Sequence, residues 1–140
     1  MDRRHFLRSA CHACAALAVL SAFTTLESCA SAKGARYAVQ DGALRIPVSG
    51  LTPGVNIVRA KGLADKLLID QRADGTYTAL VLNCPHKNGP VTFTDGEGLK
   101  CGWHGSTFDL DGQVTKGPSK SGLKRYPAAV EGAELVVRVG

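Results

Sequence analysis

The sequence is poor in the features that mark nucleic-acid-binding proteins, membrane spans and hydrolases. Its net charge is +5, but the basic residues are scattered and no basic run is interleaved with aromatic residues, which make up only 6% of the chain. This argues against a dedicated nucleic-acid surface. No apolar stretch approaches the ~20 residues that a membrane-spanning helix needs. No Ser-His-Asp arrangement, spare carboxylate pair or internal repeat is evident.

Turn-forming residues and short apolar segments are abundant. The chain has 16 glycines and 6 prolines, and after residue 32 no segment keeps a helical periodicity. Strand signals recur in "RYAVQ", "ALRIP", "NIVRA", "KLLIDQ", "YTALVLN", "PVTFTD", "STFDLDGQVT" and "AELVVRVG". Turns are expected at Asp41-Gly42 and over 74–76. Short strands with frequent glycine turns predict an antiparallel β-sandwich or small barrel.

The first 32 residues have the pattern of a bacterial export signal. Arg3 and Arg4 precede an Ala-rich apolar stretch that runs from Ala13 to Phe23, and a basic start followed by a short apolar core is typical of such signals. The letters "DRRHFLR" resemble the twin-arginine signal, whose machinery exports folded proteins. The alternative is an ordinary secretion signal with a basic start. The pair "CHAC" inside this segment is assigned no function.

The signal has two candidate ends. Cys29 in "LESC" resembles a loose lipobox, in which the cysteine is lipidated and becomes the new N-terminus, although Glu27 departs from the usual small or apolar residue. The letters "ASA" at 30–32 fit ordinary cleavage. We expect an export signal over 1–32 and a single domain over 33–140. The mature protein is then periplasmic, or anchored through Cys29 to the membrane and facing the periplasm.

The body of the chain keeps only two cysteines and two histidines once Cys29 is set aside. Cys84 and His86 lie together in "NCPHKNG", and Cys101 and His104 lie together in "KCGWHGS". The 14 residues from 87 to 100 are enough for a hairpin that brings the two loops face to face. Four soft or borderline ligands at such short spacing, in loops, predict a metal site.

Three interpretations of this set remain open from the residues alone. A disulfide between Cys84 and Cys101 suits an oxidising compartment but leaves both histidines unexplained. A tetrahedral zinc site needs ligand spacings that Cys-x-His does not match well. A [2Fe-2S] cluster with two cysteines on one iron and two histidines on the other uses all four side chains. Such a cluster is less negative than an all-cysteine one and accepts an electron more readily.

The motifs "CPH", "CGWHGSTFDLDG" and "GPSKSGLKRYP" resemble the Rieske [2Fe-2S] family over roughly residues 36–140. The resemblance implies an all-β, Rieske-like antiparallel β-sandwich with a small cluster-binding subdomain. It also implies one [2Fe-2S] cluster, with Cys84 and Cys101 on the inner iron and His86 and His104 on the outer iron. Pro118 is then part of the proline loop that shields the cluster.

Departures from the family pattern concern the residues around the ligands. Quinol-oxidising members carry an additional cysteine in each ligand loop, and these two form a disulfide; here the matching positions hold Gly89 and Trp103. Ser106 is kept and is expected to donate a hydrogen bond to a bridging sulfide, which stabilises the reduced cluster. Phe108 replaces a tyrosine of the high-potential members. For Trp103 and Phe108, packing under the loops and an electronic role are equally open. We therefore expect an intermediate potential.

The function that follows is electron transfer rather than catalysis by this chain alone. We expect a one-electron carrier on the periplasmic side of the membrane. Its electron donor or acceptor is a quinol-oxidising complex or a cytochrome. The alternatives are the Rieske subunit of a quinol–cytochrome c reductase or molybdenum oxidoreductase complex, and an oxygenase-type ferredoxin. Lys116, Lys120, Lys124 and Arg125 are either a solvated basic face or the frame of a docking surface.

Overall fold

The computed structural model describes residues 37–140, which form thirteen short strands and one 3-10 turn. The export signal expected over 1–32 and Cys29 lie outside the described residues. The strands are β1 (Tyr37–Gln40), β2 (Ala43–Pro47), β3 (Gly54–Val58), β4 (Ala60–Lys61), β5 (Leu67–Gln71), β6 (Tyr77–Val81), β7 (Val91–Thr94), β8 (Gly98–Cys101), β9 (Thr107–Phe108), β10 (Val114–Lys116), β11 (Arg125–Tyr126), β12 (Ala128–Glu131) and β13 (Glu134–Arg138). The 3-10 turn covers Val48–Gly50. No helix among residues 37–140 is long and apolar enough to cross a membrane.

The strands form three sheets. A five-stranded base sheet has the order β12-β13-β2-β1-β4, a four-stranded middle sheet the order β11-β6-β5-β3, and a four-stranded cluster-side sheet the order β10-β9-β8-β7. Neighbouring strands are antiparallel except β1 and β4, which pair in parallel. The expected all-β class and antiparallel sheets are thus confirmed, with one parallel pair that the sequence pattern did not indicate.

The two central strands of the middle sheet, β5 and β6, are buried on both faces, which explains why they read as continuous apolar runs rather than alternating ones. Leu67 and Ile69 of β5 pack with the base sheet in one core. Leu68, between them in sequence, faces the other way and joins a second core that also contains Cys84 and Cys101. Because side chains alternate along a strand, one strand serves both cores.

Several expected turns and strands are confirmed. Asp41 and Gly42 have φ values of 49° and 70°, as a two-residue hairpin between β1 and β2 requires. The expected hairpin after residue 86 also forms, with Val91 opposite Cys101 across β7 and β8. The sequence did not predict β8, β11 and β12, which have four residues or fewer and receive their register from neighbouring strands.

Arg72 links the cluster-side sheet to the middle sheet at the end of the sheet that lies away from the ligand loops. Its guanidinium donates to Thr78 Oγ1 at 3.2 Å and to the backbone oxygen of Leu110 at 3.5 Å, and it lies 2.7 Å from Asp111 Oδ1. Leu110 and Asp111 belong to the turn between β9 and β10. The strands that end at the ligand loops are therefore held at their opposite ends.

Candidate metal centre

The two sequence motifs fold into loops with the same backbone hydrogen bonds. In the first loop, the Cys84 N–H donates to Gly89 O at 2.9 Å and the Asn88 N–H donates to Cys84 O at 2.8 Å. In the second, the Cys101 N–H donates to Ser106 O at 2.8 Å and the Gly105 N–H donates to Cys101 O at 3.2 Å. Each loop thus begins at its cysteine and closes five residues later.

Left-handed backbone closes each loop at the fourth residue after the cysteine. Asn88 has a φ of 58° and Gly105 a φ of 75°. Asparagine and glycine are the residues that adopt this conformation most readily. Asn88 and Gly105, each four residues after its cysteine, are therefore the local sequence reason for the matching loops. The loops also touch, because the Gly102 N–H donates to Pro90 O at 3.0 Å.

The four predicted ligand residues come together between these loops, with thiols inside and imidazoles outside. Cys84 and Cys101 have exposed fractions of 1% and 2%, and both are free cysteines. His86 is half-buried and His104 is exposed. The two imidazole rings lie perpendicular to each other with centroids 4.9 Å apart. The two thiols do not form the disulfide that was one interpretation of the sequence.

The Cys101 thiol sits in a field that favours its thiolate. Burial by itself would raise the pKa of Cys101, but hydrogen bonds from the backbone N–H groups of Trp103 and His104 and a contact with the Cys84 side chain outweigh burial. The net effect is a pKa below the ordinary value. Metal ligation by cysteine requires the thiolate, so the loop conformation prepares this residue for a metal.

The site also contains a buried polar atom with no partner in the protein. Nδ1 of His86 is fully enclosed and makes no hydrogen bond, and it is the one such side-chain atom in residues 37–140. Buried polar groups are almost always satisfied, so this nitrogen points to a bound group. In the described residues no three cysteine, histidine or carboxylate side chains gather around one point as a single metal ion would require. A two-iron cluster takes only two protein ligands at each iron, and the paired thiols and paired imidazoles fit it.

Ser106 and the loop at 117–122 are joined by a buried hydrogen bond. Ser106 is completely buried, and its Oγ accepts a hydrogen bond from the Ser119 N–H at 3.0 Å. The Ser119 hydroxyl in turn donates to Ser121 O at 2.8 Å. Because the backbone N–H occupies a lone pair of Ser106, the hydroxyl hydrogen of Ser106 stays free to donate elsewhere. This is the arrangement that the predicted donor role of Ser106 needs. Pro118 lies just before Ser119 and is exposed.

Trp103 and Phe108 occupy different environments. Phe108 is 3% exposed and packs in the same core as the two cysteines. Trp103 is 59% exposed, so of the two roles left open for it, the structure does not show packing under the loops. It lies at the tip of the second loop, between two other exposed residues, from where its side chain does not reach the core. Its ring instead runs beside Gly89, where an added Cβ would lie 3.0 Å from two indole carbons and 2.9 Å from Cys101 Sγ.

Two thiols and two imidazoles at the tips of paired loops, on an all-β scaffold, define a mixed cysteine–histidine site of the kind that holds an iron–sulfur cluster. A sequence profile of the Rieske [2Fe-2S] domain matches residues 46–127. That is more than half of the chain, and the protein therefore belongs to the Rieske [2Fe-2S] domain family. Its cofactor is a single [2Fe-2S] cluster.

Relatives and solved structures extend this comparison. The chain is 30% identical over 74 residues to the cytochrome b6-f complex iron-sulfur subunit of Chlorobaculum thiosulfatiphilum, a match that covers 52% of this chain and 40% of that protein. The chain thus spans less than half the length of that relative.

Two solved structures share the fold at low identity. A hyperthermophilic respiratory Complex III structure matches with a TM-score of 0.52 and 24% identity, covering 65% of this chain and 71% of that chain. The ferredoxin of carbazole 1,9a-dioxygenase from Nocardioides aromaticivorans IC177 matches with a TM-score of 0.50 and 22% identity, covering 68% and 94%. The same fold thus occurs in a respiratory complex and in an oxygenase ferredoxin, and fold alone does not choose between them.

We predict that Ser106→Ala lowers the midpoint potential while the cluster remains bound. A hydrogen bond to a group that gains negative charge is worth about 1.4 kcal/mol more in the reduced state, which corresponds to a drop on the order of 60 mV for one electron. A redox titration followed by EPR measures it. Ser121→Ala, an exposed serine of the adjacent loop, serves as the control and keeps the wild-type potential. An unchanged midpoint potential in Ser106→Ala would show that Ser106 does not donate a hydrogen bond to the cluster.

Proposed function

We propose that the protein is a one-electron carrier whose [2Fe-2S] cluster is held by the thiolates of Cys84 and Cys101 and the imidazoles of His86 and His104. The observation that carries the proposal is the pair of imidazoles, 4.9 Å apart, beside two buried free thiols. The unpartnered Nδ1 of His86 lies in the same place. When bound, the cluster supplies reversible uptake and release of a single electron.

Different residues around the site would exclude water, stabilise charge and pass the electron to a partner. The buried cysteines keep water from the inner side of the site, and backbone N–H groups of the second loop stabilise negative charge on Cys101. His104 is exposed and provides a short path for an electron to a partner. The proposal is tested by a redox titration of the purified protein. One reversible one-electron step, at a potential above that of all-cysteine ferredoxins, supports it, and a lower potential contradicts it.

The proposed location is the periplasmic side of the membrane, with an optional lipid anchor at Cys29. A cluster assembled in the cytoplasm must cross the membrane inside an already folded protein, and the twin-arginine route carries folded proteins. The need to export a folded, cluster-loaded protein and the "DRRHFLR" motif therefore both support the twin-arginine route. The proposed partners are a quinol-oxidising complex and a cytochrome; the similarity to a cytochrome b6-f subunit supports the first of them.

We predict that replacing Arg3 and Arg4 together by lysine stops export. The twin-arginine machinery reads the guanidinium pair rather than positive charge alone, so the charge-conserving change is informative. Cell fractionation with detection of the protein is the measurement, and the variant is expected to accumulate in the cytoplasm with its cluster. Arg8→Lys, which leaves the pair intact, is the control. Efficient export of the paired variant would contradict the proposed route.

A second candidate, a resident subunit of a quinol-oxidising complex, is favoured by the relative named above. Gly89 and Trp103 weigh against it, because they stand where the quinol-oxidising members of the Rieske family carry the two cysteines of a disulfide. Purification of the native protein from membranes separates the two candidates. A free carrier is recovered alone, and a subunit is recovered with a cytochrome b partner in fixed stoichiometry.

A further inference from the structure

The loops around the cluster site carry lysines and no carboxylate of their own. One carboxylate from outside them, that of Asp65, accepts a hydrogen bond from Asn83 Nδ2 at 3.0 Å. Lys87 lies in the first ligand loop, Lys116 at the end of β10 and Lys120 in the loop that holds Pro118, and all three are exposed. Residues 83–90, 101–107 and 116–122 contain no aspartate or glutamate. Backbone hydrogen bonds hold these loops side by side, from Gly102 to Pro90 and from Ser119 to Ser106.

The four carboxylates of residues 91–116 lie at the opposite end of the cluster-side strands. β7 leaves the loops at Val91 and ends before Asp95 and Glu97; β9 leaves them at Thr107 and ends before Asp109 and Asp111. A strand rises about 3.4 Å per residue, so four-residue strands separate Asp95 and Glu97 from the lysines by roughly 10 Å or more. The cluster-side sheet is therefore positive at the loop end and negative at the far end.

Arginines at the far end are already paired, whereas the lysines of the loops are not. Asp111 Oδ1 lies 2.7 Å from Arg72 and 3.7 Å from Arg125. Lys124 lies over the Tyr126 ring, 4.7 Å from its centroid. None of the ion pairs within residues 37–140 involves the three loop lysines.

An exposed aromatic residue stands among these lysines. Trp103 is 59% exposed, and its ring meets the His104 ring edge-on with centroids 6.5 Å apart. Tryptophan is the residue type most enriched among those that dominate binding energy at interfaces, and such residues are surrounded by a polar rim. The surface made by Lys87, Lys116, Lys120, Trp103 and His104, here called the tip surface, has this composition.

We propose that the tip surface docks a redox protein that presents a carboxylate-rich face around its own electron-transfer edge. The lysines attract that face from a distance and orient the approach, and Trp103 packs against the partner beside the exposed His104 edge. The proposal rests on the proposed one-electron function and adds the charge of the partner. A protein partner is favoured over an anionic membrane because a single exposed aromatic residue offers little apolar area for insertion.

Small oxidants of opposite charge test this proposal on the full, cluster-loaded protein. The reduced protein is mixed in stopped flow with ferricyanide, a trianion, and separately with tris(phenanthroline)cobalt(III), a trication. Raising the ionic strength is expected to slow the first reaction and accelerate the second, because salt screens the lysines. Lys87→Glu/Lys120→Glu is expected to slow ferricyanide about tenfold and accelerate the cobalt complex about tenfold at low salt.

The opposite signs distinguish charge from a change in potential, which would move both rates in the same direction. Arg59→Glu/Lys61→Glu makes the same change in net charge on the base sheet and is expected to alter either rate less than twofold. If the two double variants change the oxidation rates equally, the docking proposal is wrong, while the proposed one-electron function still stands. Absence of any reaction with both oxidants would overturn both. If the protein sediments with phosphatidylglycerol-containing vesicles and this depends on Lys87 and Lys120, the tip surface binds an anionic membrane rather than a protein, and the docking proposal is wrong.

Discussion

Replacement of Cys101 by alanine is expected to remove the cluster completely. Cys101 is buried, hydrogen-bonded by backbone N–H groups that favour its thiolate, and packed in the core that Cys84 also joins. Without it, the inner side of the site keeps one thiol. Iron and acid-labile sulfide are expected to fall to background and the visible absorption to vanish. The melting temperature is expected to fall as well, because the folded state loses the stabilisation that its bound cofactor contributes.

The matched control for this change is the neighbouring residue. Lys100 is exposed and lies beside Cys101 on β8, where its backbone pairs with β7 and β9 and its oxygen also accepts a hydrogen bond from Thr92 Oγ1 at 3.4 Å, none of which an alanine would remove. Lys100→Ala is expected to keep iron, sulfide and the EPR signal at wild-type levels. Full cluster content in Cys101→Ala would show that the thiol is not a ligand.

The second large effect is expected from Gly89→Ala, the addition of one methyl group. That Cβ would lie 2.9 Å from Cys101 Sγ and 3.0 Å from two carbons of the Trp103 ring, closer than van der Waals contact permits. Since Gly89 also closes the first loop through its backbone oxygen, it has little freedom to move away. We expect the two loops to be pushed apart and iron content to fall by more than half, with a cost of about 1–3 kcal/mol in stability.

Gly102→Ala is the control, because it adds the same methyl group to a ligand loop at a position where there is room for it. Gly102 lies in the second ligand loop, has no positive φ, and an added Cβ would meet only Pro90 O at 3.8 Å. It is expected to bind iron like the wild type. If Gly89→Ala binds iron and sulfide fully, with an unchanged EPR signal, then Gly89 is not needed for close approach of the loops.

The positions of the strands could be predicted from the sequence wherever a strand or turn has a local signal in its own residues. The hairpin at Asp41-Gly42 and the long apolar β5 are examples, because turn chemistry and burial on both faces are local properties. β8 is different: the alternation in "GLKC" covers only four residues, too few to mark a strand, and pairing with β7 and β9 supplies the register. The contact between Arg72 and Asp111, 39 residues apart, likewise has no local signal.

The four candidate ligands could be selected from the sequence, where their role stays a prediction, and the organisation of the loops around them could not. Cysteine and histidine at short spacing in two loops was enough to select Cys84, His86, Cys101 and His104. The exposure of Trp103, the room that Gly89 leaves for its ring, and the bond from Ser119 to Ser106 depend on how three loops meet. An asparagine or glycine at the fourth position after each cysteine, Asn88 and Gly105, was the signal in the sequence that could have revealed the shared left-handed closure of the ligand loops.

The central claim is that two histidines and two cysteines of these loops hold one [2Fe-2S] cluster. Pulsed EPR of the reduced protein, prepared once with natural histidine and once with nitrogen-15 histidine, tests it most directly. The account predicts one unpaired electron per two irons, with two strongly coupled nitrogens that both change with the label. His86→Ala and His104→Ala would each be expected to remove this signal. A cluster with no coupled histidine nitrogen, or protein prepared anaerobically that holds no iron and sulfide, would contradict it.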